Sequence, residues 1–197
     1  MDLTEEFISS RLHSSLEASA SSDGYAELPG PIDPASLRCA AVLVPLFRAE
    51  GEWHVLFTRR TERVESHKGQ VSFPGGACDP GETTPEQTAL RETEEEIGLS
   101  PNRVHILGRM PQMVTVTRFR ITPVVGVISW PAVFRVEGAE VGRIFSMPLA
   151  WLADRDNFWE FHRPGVALPV IVYHPFDGEI LWGATARMTV DFLKIIG

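Results

Sequence analysis

Three observations predict an α+β fold. Short apolar runs rich in Val and Ile recur between residues 37 and 182 and read as strands. One sharply bounded helical segment, 84–97, interrupts them, and it carries a run of glutamates. A second helical pattern closes the chain after Gly183, with Met188, Phe192, Leu193 and Ile196 on its inward face.

In chain order, residues 2–18 carry Leu3, Phe7, Ile8, Leu12 and Leu16 at helical spacing. A Ser-, Gly- and Pro-rich stretch over 19–34 reads as a linker. We therefore divide the chain into a helical arm and linker at 1–36, without chemistry of its own, and a domain at 37–197. The run 37–47 predicts a buried strand, and 53–58 a second one joined to it by a turn at 49–51. A basic loop, 59–68, leads to a short strand at 70–73. Its His67 is as consistent with ordering the loop through backbone hydrogen bonds as with touching a ligand. Residues 104–110 and 120–130 read as strands, and the segment from Glu140 as a strand running into a helix. Residues 158–164 and 166–175 suggest a hairpin, whose Phe158, Trp159 and Phe161 are candidates for stacking on a ligand or bordering its pocket, with core packing the preferred expectation.

The 197 residues suffice for one well-buried domain, and 44% hydrophobic with 22% charged residues is ordinary for a globular protein. A net charge of −8 argues against binding long nucleic acids, though bound cations and a local basic cluster permit a small anionic substrate. No apolar run reaches the ~18 residues of a membrane span. Asp2, Glu5 and Glu6 are wrong for the basic start of a signal peptide. The two cysteines, Cys39 and Cys78, make neither a disulfide framework nor a zinc site, so a reducing cytoplasm is expected.

The chemistry concentrates at 73–99. Pro74, Gly75 and Gly76 make a tight bend where backbone approaches something closely. Thr84 and Pro85 are an N-cap and first helical residue, and Gly98 a stop. Glu92, Glu95 and Glu96 then share one helical face at i, i+3 and i+4, with Glu94 turned to solvent and Leu90, Thr93 and Ile97 toward the core. The helix C-terminus is the wrong end for carboxylates, because its dipole favours cations. Arg91 sits four residues before Glu95 and pairs with it. A glutamate run alone reads as a solvated face. With the glycine bend and the arginine beside it, the oxygen-only set suits a hard divalent cation such as Mg²⁺.

This stretch resembles the Nudix box, G-x5-E-x7-R-E-U-x-E-E-x-G-U, where U is aliphatic. Gly76, Glu82, Arg91, Glu92, Glu95, Glu96, Gly98 and Leu99 match in order. The spacer after Glu82 is one residue longer than the pattern, and Thr93 replaces an aliphatic residue. Residues 56–76 look like the L-L-T-x-R-S-x3-R-x3-G-x3-F-P-G-G signature of the coenzyme A diphosphatase subgroup. Leu56, Thr58, Arg60, Gly69, Phe73, Pro74, Gly75 and Gly76 agree with it. Phe57, Thr61 and Glu65 depart from it, the last with reversed charge.

The resemblance implies a Nudix fold, a mixed sheet sandwiched between helices, and metal-dependent hydrolysis of coenzyme A or acyl-CoA to 3′,5′-ADP and a 4′-phosphopantetheine. It implies Mg²⁺ or Mn²⁺ held by Glu92, Glu96, Glu95 and the Gly76 carbonyl, with Arg91 orienting Glu95. The general base stays open between Glu95, Glu92 and Glu140. Arg59, Arg60 and Lys68, with Gly75 and Gly76, are the candidate substrate contacts, and Arg63 adds a fourth loop cation. Arg118 and Arg120 are further phosphate or adenine candidates, although surface arginines are common. The enzyme is expected to act as a monomer or homodimer on a small nucleotide. Two other readings are a Nudix hydrolase of ADP-ribose, NADH or a damaged nucleotide, and a non-catalytic nucleotide-binding module. The intact Arg91, Glu92, Glu95 and Glu96 set speaks against the last.

Overall fold

The computed structural model describes residues 3–19, 33–61, 69–136, 138–162 and 168–197. At its centre lies β1 (Arg38–Ala49), whose residues 40–47 are all buried, so both of its faces are covered. A turn with Glu50 at φ 53° and Gly51 at φ 86° returns the chain antiparallel as β2 (Glu52–Arg60). Two short strands follow, β3 (Val71–Ser72) and β4 (Gly75–Ala77), then α2 (Pro85–Ile97), the first helix of the body. β5 (Val104–Arg109), β6 (Met113–Val114), β7 (Phe119–Ile128) and β8 (Val141–Pro148) complete the main sheet. Among the described residues it has eight strands, and it is mixed. The pair β1–β7 is parallel, while β2 and β4 run antiparallel to β1.

Side-chain alternation along β1 sets the layers. Ala41 and Leu43, with Val124 of β7, pack against Ala89 of α2. Val42, Val44 and Leu46 face the other way, into the larger core. That core is shared with α3 (Leu149–Ala153) and α4 (Gly183–Ile196), and with α1 (Glu5–Ser19). The helix of the amino-terminal arm is thus part of the packing: Ile8 and Leu12 are fully buried, and Ser9 Oγ donates to Leu107 O at 2.8 Å.

Four expectations change. The core-facing stripe of α2 is Ala89, Thr93 and Ile97 together with Thr88 and Glu96, while Leu90 is half-exposed because it falls just off the face that meets β1. The glycine bend is itself a strand, paired Ala40↔Ala77, Ala41↔Gly76 and Val42↔Gly75. This register sets Cys39 beside Cys78, and the two form a disulfide, contrary to the expectation that they stay unpaired. Of the three aromatics on β9 (Phe158–Phe161), which pairs with β10 (Val170–Tyr173), only Phe158 enters the core, against Tyr173. Trp159 and Phe161 point outward because strand neighbours alternate.

Candidate active site

Helix α2 is fixed at both ends by its own sequence. The Thr84 side chain accepts from Gln87 N–H, the Gln87 side chain accepts from Thr84 N–H, and Pro85 fills the first turn. Gly98, at φ 68°, closes the helix in the left-handed conformation. Glu92 and Glu96 of its last turns are thereby held against β4.

β4 meets that helix without side chains. A Cβ on Gly76 would lie 2.5 Å from the Glu92 carboxyl carbon. A Cβ on Gly75, whose φ is 151°, would lie 2.4 Å from Ala41 O. Only glycine allows the backbone into this gap between β1 and the glutamates.

The two inner carboxylates have little water. Glu96 has 8% of its side chain exposed, and burial pushes its carboxyl up to about 7. Gly75 N–H, which donates to Glu96 Oε2 at 3.2 Å, and Arg60 work in the opposite direction. Burial also raises Glu92, partly countered by Arg91. In both, burial outweighs the neighbouring donors, the electrostatic condition that a cation relieves.

Arg91 is the hub of the outer part. Its Nε donates to Glu82 Oε1 at 2.8 Å, and its Nη1 to Glu92 and Glu95, each at 3.0 Å. Nη2 reaches Ala77 O at 3.0 Å, tying β4 to the helix. Glu82 also accepts from Thr88 Oγ1 at 2.6 Å and Asp79 N–H at 2.7 Å. The Arg91 contact above all depresses its carboxyl to about 2, and the same bonds hold the guanidinium above its usual range. Despite the longer spacer, Glu82 reaches Arg91.

Arg60, at the end of β2, approaches from the opposite side. Its Nη1 lies 3.9 Å from Glu96 Oε1 and its Nη2 3.5 Å from Glu140 Oε2, just before β8. Its Nε is buried and has no hydrogen-bond partner among the described residues. Arg59, its neighbour, points to the other face of the sheet, with Nε 3.6 Å from Glu179, which also binds Arg143. Arg59 and Arg60, expected together at the substrate, are thus separated. Lys68, Arg63, Glu65 and His67 lie outside the described residues. Arg120 pairs in register with Cys39, beyond the β4 bend, and Arg118 is exposed in the turn before β7.

The structure therefore gathers Glu92, Glu96, Gly75, Gly76, Arg91, Arg60 and Glu140, and leaves Glu95 at the rim with 59% of its side chain exposed. Among the described residues no three acidic, histidine or cysteine side chains converge on one point as a metal cage. Glu92 and Glu95 turn to Arg91, and Glu96 to Gly75 and Arg60. The donor set still fits a hard divalent cation: carboxylates with an adjacent glycine backbone and no soft ligand. Sequence reasoning missed the bonds of Glu82 to Thr88 and Asp79 and the Arg60–Glu140 pair. Neither carries a signal in the sequence, because Glu82 lies outside the helix and Glu140 meets Arg60 across 80 residues. A cavity of about 460 Å³ lined by Leu149, Phe158, Val190 and Leu193 lies on the α3–α4 side and contains none of these groups.

Comparison with known proteins gives the arrangement its context. A family model described as NUDIX domain matches residues 37–167. An uncharacterized Nudix hydrolase, NudL, from Yersinia enterocolitica is 36% identical over 151 residues, covering 76% of each chain. Its Yersinia pestis counterpart is 35% identical over 156 residues, covering 78% of this chain and 77% of that one. Among solved structures, a NUDIX hydrolase from Alicyclobacillus acidocaldarius superposes with a TM-score of 0.50 at 25% identity, over 59% of this chain and 81% of that one. An Ap4A hydrolase of C. elegans shares the fold, with a TM-score of 0.50 at 20% identity over 58% of this chain and 82% of that one. The helix with its glutamate face, the glycine strand beneath it and the family match over two thirds of the chain lead to one conclusion: this chain belongs to the Nudix hydrolases, as a pyrophosphohydrolase.

Proposed function

We propose that this Nudix hydrolase cleaves the diphosphate of coenzyme A or an acyl-CoA, giving 3′,5′-ADP and (acyl-)4′-phosphopantetheine, in a cytoplasmic setting. The observation that carries the reading is the run 56–76, which resembles the coenzyme A diphosphatase signature and delivers Arg60 to within 3.9 Å of Glu96. A substrate-recognition strand thus ends at the carboxylate face.

Glu92 and Glu96, with Glu95 at the rim and the Gly76 carbonyl, are the groups that would hold Mg²⁺ or Mn²⁺. When bound, such an ion supplies charge neutralisation at phosphate oxygens and lowers the pKa of water. The remaining work belongs to the chain. Arg91 fixes the carboxylates of Glu92 and Glu95 through one nitrogen and keeps β4 in place through another. Arg60 has a buried Nε and two nitrogens shared with Glu96 and Glu140, so it serves the diphosphate oxygens better than a remote 3′-phosphate. The water-activating base is one of Glu92, Glu95 and Glu140. Glu→Gln at the base costs about 10²–10⁴ in kcat. At Glu140, which is not among the cation-holding groups, it leaves cation affinity intact, whereas at Glu92 or Glu95 affinity falls as well.

The test is a product assay on coenzyme A, acetyl-CoA, NADH, ADP-ribose and 8-oxo-dGTP with Mg²⁺ and with Mn²⁺. Release of 3′,5′-ADP from coenzyme A or acetyl-CoA at the highest kcat/KM supports the reading. Turnover of ADP-ribose or NADH with coenzyme A untouched overturns it in favour of another nucleoside diphosphate derivative.

A further inference from the structure

β4 does little to hold itself in place. It has three residues, two of them glycines that contribute no packing side chain and lose the most backbone entropy on ordering. Yet it presents the Gly76 backbone to Glu92, donates Gly75 N–H to Glu96 and offers Ala77 O to Arg91. The Cys39–Cys78 disulfide adjoins this strand's carboxyl end, one residue past Ala77, and Cys78 N–H donates to Cys39 O at 3.1 Å. Directly beyond it, Asp79 binds Glu82 through its N–H and approaches Arg91 Nε at 3.5 Å. The crosslink spans 39 residues, which include β2, β3 and β4. It is also open to solvent: Cys39 is exposed and Cys78 half-exposed.

We infer that Cys39–Cys78 is a thiol-exchange site, a redox clasp that holds the glycine strand and the Arg91 cradle in register when oxidised and slackens both when reduced by a dithiol. A thiolate of the dithiol attacks Cys39 Sγ, the S–S bond breaks and Cys78 leaves as the thiolate, which takes up a proton. The second thiol of the donor then displaces Cys39, so that two cysteine thiols and one donor disulfide result, a two-electron exchange. Exposure is what separates this pair from a buried structural disulfide, because the attacking sulfur needs access along the S–S axis. In a dithiol-poised compartment an exposed pair of this kind cycles rather than persists.

The experiment uses the full chain purified without reductant. Native protein is treated with dithiothreitol, alkylated with iodoacetamide and weighed intact, and parallel samples are melted with and without Mg²⁺. The expected result is no alkylation before treatment and two groups after it, without denaturant. A fall in Tm on the order of 5–15 °C should accompany this. The Mg²⁺ concentration for half-maximal hydrolysis should rise about tenfold. The C39S/C78S double variant should resemble the reduced protein and ignore dithiothreitol. Two free thiols in the untreated, air-exposed protein overturn the proposal. So does a pair reducible only in denaturant, or a reduced protein whose Tm and Mg²⁺ dependence are unchanged. The thiol count and the melts involve no nucleotide, so their outcome is independent of which substrate the site prefers.

Discussion

Glu82 and Arg91 meet at 2.8 Å across the bend between β4 and α2, and through this contact a carboxylate outside the helix controls those on it. Arg91 passes on that restraint to Glu92, Glu95 and Ala77 O. Glu82→Gln keeps the shape and removes the charge. It should cost about 1–3 kcal/mol in chemical denaturation and about 10–100-fold in apparent Mg²⁺ affinity. An unchanged Mg²⁺ dependence would show that Arg91 holds its position without Glu82.

The two glycines of β4 should fail differently. At Gly75 an added Cβ meets the Ala41 backbone at 2.4 Å and φ is 151°, so nothing yields cheaply. Gly75→Ala should lose about 2–4 kcal/mol of stability. At Gly76 the clash is with the Glu92 carboxylate, the far end of a side chain that swings aside. Gly76→Ala should therefore melt within a few degrees of the parent and lose most of its hydrolysis. Thermal melts and rates on the same preparations separate the two.

Glu96 is ionised at a stability cost, since burial raises its carboxyl to about 7. Glu96→Gln removes that cost while keeping an acceptor for Gly75 N–H at 3.2 Å. In chelator at about pH 8 the variant should melt at or above the parent, because the buried charge is gone. Its hydrolysis should fall at least about a hundredfold. Wild-type turnover by Glu96→Gln would remove this glutamate from the metal-binding role.

The same group sets a pH dependence. Its folded-state value lies above the unfolded 4.5, so the unfolded chain releases the proton first and stability declines as pH rises from 4.5 to about 7. Glu82, depressed to about 2, acts oppositely: its contribution is complete above 4.5 and lost as pH falls toward about 2. A divalent cation selects the ionised Glu96, so Mg²⁺ should raise Tm more at about pH 8 than at about pH 5.5. Scanning calorimetry with Mg²⁺ and with chelator at both pH values measures this, and an equal rise at both would exclude Glu96 as the titrating partner.

What the sequence determined by itself is local. The limits of α2 follow from Thr84, Pro85 and Gly98, and the glutamate face from the 3.6-residue period. The need for a bare backbone at Gly75 and Gly76 was legible for the same reason: caps, periodicity and glycine act within a few residues. The tertiary structure decided every relation that crosses the sheet. The bend became a strand because β1 had an open edge at Ala40, Ala41 and Val42, and that register brought Cys39 to Cys78. Arg59 and Arg60, adjacent in the chain, went to Glu179 and Glu96 because neighbours on a strand face opposite sides. Glu140 joined Arg60 across 80 residues only because β8 pairs with β2. Ladder register and side-chain alternation between distant strands have no local signature, so only the folded chain reveals which cation each carboxylate meets.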